Sequence, residues 1–262
     1  MGGRLDGKIA IITGAGQQPG ATPGNGRATA MRFAQEGATC VLVDINPDWA
    51  EETREMIGGL AMVVQADVTD EGACQGIVQQ TLDRFGRIDV LHNNVGLSKG
   101  DRATTDLDAD VWDRIMTLNL KSMFMLCKAA LPVMRAQGSG AILTISSTSS
   151  LSMRPTVAYK TSKGAINTFT QHIAAENARF AVRANVILPG LIDTPMAIER
   201  RAAETGRTRE DIRAERDALV PMGHMGQAWD VANAAVFLAS DEAKYITGAL
   251  VPVDGGLLLK RG

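Results

Sequence analysis

Residues 8–27 read Lys-Ile-Ala-Ile-Ile-Thr-Gly-Ala-Gly-Gln-Gln-Pro-Gly-Ala-Thr-Pro-Gly-Asn-Gly-Arg. The apolar, β-branched run 8–12 predicts a buried strand, the glycines predict a turn, and the pattern over 27–36 predicts a helix. Glycines at such a turn let the backbone approach a phosphate closely. The helix that follows offers free N–H groups and the positive end of its dipole. On this reading Gly14, Gly24, Asn25 and Gly26 cradle the pyrophosphate of a dinucleotide. Asp44 closes the next strand, 18 residues beyond Gly26 (44 − 26 = 18). A carboxylate there accepts from a ribose 2′-OH and repels a 2′-phosphate, so the cofactor expected is NAD rather than NADP. Glycines also make ordinary turns, and it is the place between strand and helix that separates the two readings.

Working outward, the same alternation continues. Apolar runs at 39–43, 61–65, 90–92, 141–145, 184–188 and 248–253 predict six further strands, and helical patterns fill the gaps, notably at 71–85, 108–136 and 159–180. Continuous apolar strands alternating with helices indicate a parallel sheet covered on both faces. The expected architecture is α/β: a single Rossmann-type doubly wound domain over 1–262, with a seven-stranded parallel sheet and helices on both faces. The stretch 199–217 is crowded with Arg and Glu. It reads either as a solvated helical face or as a flap over the substrate near 195–220.

Composition narrows the function. The 27 basic and 29 acidic residues leave a net charge of −2, without the basic excess of a nucleic-acid protein. Cys40, Cys74 and Cys127 lie far apart, and His92, His172 and His224 show no metal-ligand spacing, so no metal is expected. Isolated thiols suit a reducing compartment. No apolar run reaches membrane-spanning length, and no targeting pattern stands at the start, so the expected location is cytoplasmic.

Tyr159 and Lys163 are four apart, hence on one face of the helix they open. A phenol titrates near pH ~10 and exchanges protons poorly at neutrality unless a cation stabilises the phenolate. The preceding strand ends Thr144-Ile145-Ser146-Ser147, where a hydroxyl can hold a substrate oxygen while Tyr159 moves the proton. The run of serines from 146 also reads as an ordinary polar loop.

With these residues in place the chain resembles the short-chain dehydrogenase/reductase family from about residue 5 to residue 256. The resemblance is carried by the glycine element of 13–26, Asp67-Val68, Asn93-Asn94-Val95-Gly96 with Val for the usual Ala, Asn119, Tyr159 with Lys163, Pro189-Gly190-Leu191-Ile192-Asp193-Thr194 and Val253-Asp254-Gly255-Gly256. It implies Tyr159 as acid/base, and Lys163 as the group that lowers its pKa and binds the nicotinamide ribose. It implies a serine on the substrate oxygen and Asn119 anchoring a proton-relay water. Asp67 and Val68 would meet the adenine, and Asn94 and Gly96 would join the cofactor site. Pro189, Gly190, Ile192 and Thr194 would lie at the nicotinamide. It also implies a homotetramer. Met153, Arg154, Leu151, Val157, Met196 and Ile198 would border a hydrophobic or cyclic substrate.

Two departures from the family stand out. Nine residues (15–23) separate Gly14 from Gly24 where the family has three. The excess, with two prolines, reads as a stiff excursion that leaves Gly24 and Gly26 in place; alternatively Gly16 and Gly20 take over phosphate contact. The catalytic serine is Ser146 by counting thirteen back from Tyr159, or Ser147 by strand alignment, which preserves register. The expected activity is hydride transfer between NAD and a secondary alcohol or ketone. The alternative is a cofactor-binding regulatory protein on the same fold without catalysis.

Overall fold

The computed structural model describes residues 2–59, 61–152 and 154–260. Seven strands form one parallel sheet: β1 (Ile9–Thr13), β2 (Thr39–Asp44), β3 (Ala61–Gln65), β4 (Val90–Asn93), β5 (Gly140–Ile145), β6 (Val182–Pro189) and β9 (Leu250–Val253). Their order is β3-β2-β1-β4-β5-β6-β9. All seven expected strands are present. The chain builds outward from β1 through β2 to β3, then returns to place β4 on β1's other side, with Ala10 opposite both Cys40 and Val90. That reversal opens a crevice at the carboxyl ends of β1 and β4.

Period-two alternation explains why each strand reads as a continuous apolar run. Ile9 and Ile11 face one side with Val41, Val43, Leu91 and Ile142, under α3 (Glu71–Phe85), α5 (Ser122–Gln137) and α6 (Ala158–Asn177). Ala10 and Ile12 face the other side with Leu42, Leu143 and Ile187, under α1 (Asn25–Gln35), α2 (Pro47–Ile57) and α9 (Ala228–Ala239). Both faces are dry, so neither needs polar residues. Trp229 packs on Ala28 and Ala232, a structural role.

The helix expected over 108–136 is interrupted. It forms as α4 (Ala109–Met116), a π turn at Thr117–Lys121 carrying Asn119, then α5. A π turn inserts one residue into the helical repeat, which no apolar periodicity reveals. The helix expected to reach 180 ends at Asn177 and gives way to a 3-10 turn, Ala178–Phe180, after which Ala181 takes φ 55°.

The arginine-rich stretch forms α7 (Glu199–Thr205) and α8 (Arg209–Asp217), with a small core of Ile198, Ile212 and Met225. It lies between two short strands, β7 (Ile192–Asp193) and β8 (Gly226–Gln227), which pair in parallel outside the main sheet.

Candidate active site

The glycine turn is built from backbone. Gly14 takes φ 62°, a left-handed conformation that suits glycine. Asn94 locks this turn to β4. Its Nδ2 donates to the carbonyls of Thr13 (3.1 Å) and Gly14 (3.2 Å), and its N–H donates to Thr13 Oγ1 (3.1 Å). Gly26 lies so close that a Cβ would stand 1.9 Å from the Gly14 carbonyl oxygen. Gly24 is the N-cap of α1 and brings no side chain to it, and no acidic residue stands in the first turn. Gln17 accepts from the Gly24 N–H, and among the described residues no first-turn acid opposes the dipole at this helix start. Asn25 Oδ1 is buried without a hydrogen-bond partner.

The carboxylate of Asp44 accepts from Gly16 N–H (3.0 Å) and Asn46 N–H (3.0 Å), fixing the end of β2 against the glycine loop. Asp67 accepts from Thr69 N–H and Oγ1–H (2.8 and 2.7 Å), and Val68 is buried beside it. Pro189 ends β6 opposite Val253. Gly190 donates to the Val253 carbonyl, and a Cβ there would stand 2.7 Å from that of Asp254. Ile192 and Thr194 are buried at the same edge.

The excursion at 15–23 leaves Gly24 and Gly26 at the start of α1. Gly16 is packed on Trp49 and Ala50, and Gly20 on Pro195, so neither takes the place of the later glycines. The excursion is tied across the crevice. Ala21 N–H donates to Glu199 (2.9 Å) and Thr22 Oγ1 to Asp193 (3.2 Å), which also accepts two bonds from Arg209 (2.7 and 2.9 Å). Its Gln17 side chain bonds back to Gly24 N–H and the Thr22 carbonyl.

At the end of β5 the two serines part. Ser146 Oγ donates to the Lys163 carbonyl (2.9 Å), away from the crevice, which removes the residue that counting selects. Extended backbone at Ser147 (φ −168°) points its hydroxyl at the Tyr159 phenol. The register argument therefore names the serine that faces the tyrosine.

Asp101 fixes Tyr159 from behind: its carboxylate accepts from Ala158 N–H and Tyr159 N–H, each 2.9 Å, at the start of α6. Lys163 is buried, and its ammonium donates to the Ile145 carbonyl (2.7 Å) at 5.6 Å from the Tyr159 ring centroid. A Cβ on Gly96 would stand 3.1 Å from that ammonium, so glycine leaves it room. Asn119 pairs with the Leu97 backbone through both ends of its amide (2.7 and 3.0 Å) and donates to Ser162 Oγ (2.9 Å), joining the π turn to α6.

Burial pushes the Tyr159 phenol above its usual range, and Arg154, the Ser147 hydroxyl and Arg200 pull it back. Burial brings the Lys163 ammonium down to about 8. The cations acting on the phenol are thus Arg154, which the resemblance places only at the substrate border, and Arg200, which the sequence reading does not assign. Asp101 was missed too, since a lone acid in a loop carries no signal. The crowding of 199–217 was noticed, but nothing in it says which arginines turn inward.

Of the expected apolar border, Leu151 and Met196 are exposed, while Ile198 is wholly buried in the α7–α8 core and cannot line a pocket. Met153 lies outside the described residues.

A parallel sheet wound both ways from β1, with a glycine turn at the reversal and a Tyr-x-x-x-Lys helix beside it, defines a Rossmann-type α/β protein. A family profile described as enoyl-(acyl carrier protein) reductase matches residues 20–258. The chain is 35% identical to 2-(R)-hydroxypropyl-CoM dehydrogenase of Xanthobacter autotrophicus, over 95% of this chain and 97% of the relative. It is 37% identical to 7alpha-hydroxysteroid dehydrogenase of Clostridium sardiniense, over 98% and 95%. The crystal structure of carveol dehydrogenase from Mycobacterium avium in complex with NAD superposes with a TM-score of 0.90 at 29% identity, over 98% of this chain and all of that one. The chain belongs to the short-chain dehydrogenase/reductase family and is an oxidoreductase.

Proposed function

We propose that the protein is an NAD-dependent dehydrogenase interconverting a secondary alcohol and its ketone. The observation that carries this is the meeting of Ser147 and Tyr159 at the carboxyl edge of the sheet, one strand from the glycine turn. The residues fit a dinucleotide. Gly14 and Gly26 let the turn and the start of α1 pack backbone to backbone, α1 carries no side-chain cap from its N-cap residue, and Asn25 Oδ1 lacks a partner. Gly14, Gly24, Asn25 and Gly26 would hold the pyrophosphate, Asp44 the adenosine ribose, and Asp67 and Val68 the adenine. Asn94 and Gly96 would shape the floor, and Pro189, Gly190, Ile192 and Thr194 the nicotinamide end. Asp44 supports NAD over NADP because a second negative charge beside it is repelled.

Ser147 donates to the carbinol oxygen, and Tyr159 takes its proton. The C–H electron pair leaves as hydride and the C=O bond forms; NAD supplies the hydride acceptor. Lys163 would hold the ribose and, as the family resemblance implies, help keep Tyr159 ionisable beside Arg154 and Arg200, and Asn119 would anchor the outward proton path. Enoyl reduction, named in the family description, is less well served: the enoyl-reducing branch of this family spaces its tyrosine further from the lysine, and six residues before Lys163 this chain has Val157.

The names of the relatives, a hydroxypropyl-CoM and a hydroxysteroid dehydrogenase among them, support an alcohol or ketone substrate, cyclic ones included. Residues 195–220 would serve as the flap. A homotetramer is part of the same reading, supported by an apolar groove with Leu120, Phe124 and Phe169 between the helices and by exposed Tyr245 and Leu259 near the carboxyl end. Three buried free cysteines suit a cytoplasmic location. No helix among the described residues is long and apolar enough to cross a membrane.

Following NADH absorbance with secondary alcohols and cyclic ketones, against NAD and NADP, tests the reading. Turnover is expected with NAD, at least ~10-fold better than with NADP, a ~1.4 kcal/mol preference. Tight NADH binding without turnover of any compound would favour the regulatory protein instead.

A further inference from the structure

The arginines around the crevice fall into two groups. Arg207, Arg209 and Arg213 are neutralised: Arg207 by Glu215 (2.6 Å), Arg209 by Asp193 and Glu199 (2.7 and 3.3 Å), Arg213 by Asp193 and Asp217 (3.7 and 3.8 Å). Arg201 and Arg216 make no ion pair among the described residues. Arg216 is only 9% exposed, and its Nε meets the sulfur of Met225 at 3.2 Å. Arg200 reaches from α7 to Ser98 Oγ (3.2 Å), in the loop after β4; its Nε is buried without a hydrogen bond, and its one ion pair, to Glu204, is as long as those of Arg213 (3.7 Å). Arg154 stands exposed on the loop that leads to Tyr159.

These four are linked through Arg154 and Arg201. Arg154 and Arg200 both act on Arg201, Arg154 and Arg201 both act on Arg216, and Arg154 and Arg200 both act on the Tyr159 phenol. Burial and this repulsion bring Arg216 down to about 10. A guanidinium taken out of water beside two others is costly unless an anion joins them. Arginine is also the side chain whose planar donor fork matches carboxylate, sulfonate and phosphate. The short ion pairs go to the outward arginines; Arg201 and Arg216 feel Glu204, Glu215 and Asp193 only at a distance, and Arg154 and Arg200 act on the catalytic phenol.

We propose that Arg154, Arg200, Arg201 and Arg216 form an anion-binding subsite for the substrate, which is a hydroxy or keto compound bearing a carboxylate, sulfonate or phosphate group away from the carbinol carbon. This rests on the dehydrogenase reading and narrows its substrate. The subsite fixes the distal end of the substrate, so the carbinol reaches Ser147 and Tyr159 in one orientation.

The test pairs 2-pentanol with 3-hydroxybutanoate, 3-hydroxybutane-1-sulfonate and 3-hydroxybutyl phosphate, read by NADH formation in the wild type, Arg201→Ala and Arg201→Lys. The expected result is that at least one anionic alcohol exceeds 2-pentanol in kcat/KM by ~100-fold. Arg201→Ala removes most of that ratio, Arg201→Lys restores part of it, and NAD affinity stays within threefold. Which anion leads identifies the group. Equal or better turnover of 2-pentanol would overturn the subsite and leave the dehydrogenase standing. A fall in NAD affinity in Arg201→Ala with the substrate ratio unchanged would assign the cluster to the cofactor and also overturn it.

If no alcohol turns over, calorimetric titration of succinate, ethanesulfonate and glycerol 3-phosphate into the NADH complex still decides. Binding that Arg201→Ala abolishes supports the subsite, and absence of binding overturns it.

Discussion

The two halves of the crevice are made differently. The half around the glycine turn is backbone: Gly14, Gly26 and the Asn94 lock take their places from β1, β4 and the start of α1. The half around α7 and α8 is side chain: long arginines and acids on a segment outside the main sheet, placed by ion pairs rather than by strand register. A backbone-built surface suits a ligand that never changes. A side-chain surface can be altered one residue at a time, so it is where substrate choice lives.

A large effect, second only to that of removing the Tyr159 hydroxyl, is expected on the boundary between them. Ser147→Ala should lower kcat by ~10²-fold, the usual effect of removing one donor from a reacting oxygen. Ser146→Ala should change it less than fivefold and instead lower Tm, because its hydroxyl bonds the Lys163 carbonyl. The reverse outcome in turnover assays would move the boundary by one residue.

A smaller effect is expected from the excursion that bridges the halves. Removing the six-residue excess, 17–22, breaks the bonds of Ala21 and Thr22 to Glu199 and Asp193. KM for the alcohol should rise by about tenfold (~1.4 kcal/mol), with the Kd for NAD within threefold. Loss of all NAD binding would put the excursion in the cofactor half and erase the contrast.

A further effect, read in stability rather than turnover, concerns the core beneath both. His92 is wholly buried on β4, neither ring nitrogen has a partner, and burial lowers its pKa to about 3. The unfolded chain binds a proton below about 6.5, which the folded chain refuses until about 3, so this group drains stability as pH falls across that window. His92→Leu should reduce the loss measured by urea unfolding between pH 7 and pH 5 by about 2 kcal/mol. An unchanged loss would show that His92 does not titrate on unfolding in this window.

The same division explains what could be read in the sequence. The strands follow from runs such as Ile9–Thr13 and Gly140–Ile145, buried along their whole length, because a sheet dry on both faces demands them. Ser147 against Ser146 followed from register, since a slip of one residue reverses every side chain. The π turn at Asn119, the Asp101 carboxylate behind Tyr159 and the inward arginines had no such signature. Each depends on contacts between residues far apart in the chain. The burial of Ile198 was misread for the same reason: α7 and α8 close a core of their own over it.

Tyr159→Phe probes the proton-transfer assignment most directly, because it removes one hydroxyl and leaves the ring, Asp101 and Lys163 in place. Measured with NAD and the best alcohol of the panel, kcat should fall by ~10³-fold, within the range for loss of a general acid–base group, while the Kd for NADH stays within threefold. A variant that keeps a tenth or more of the wild-type rate would contradict Tyr159 as the group that moves the proton.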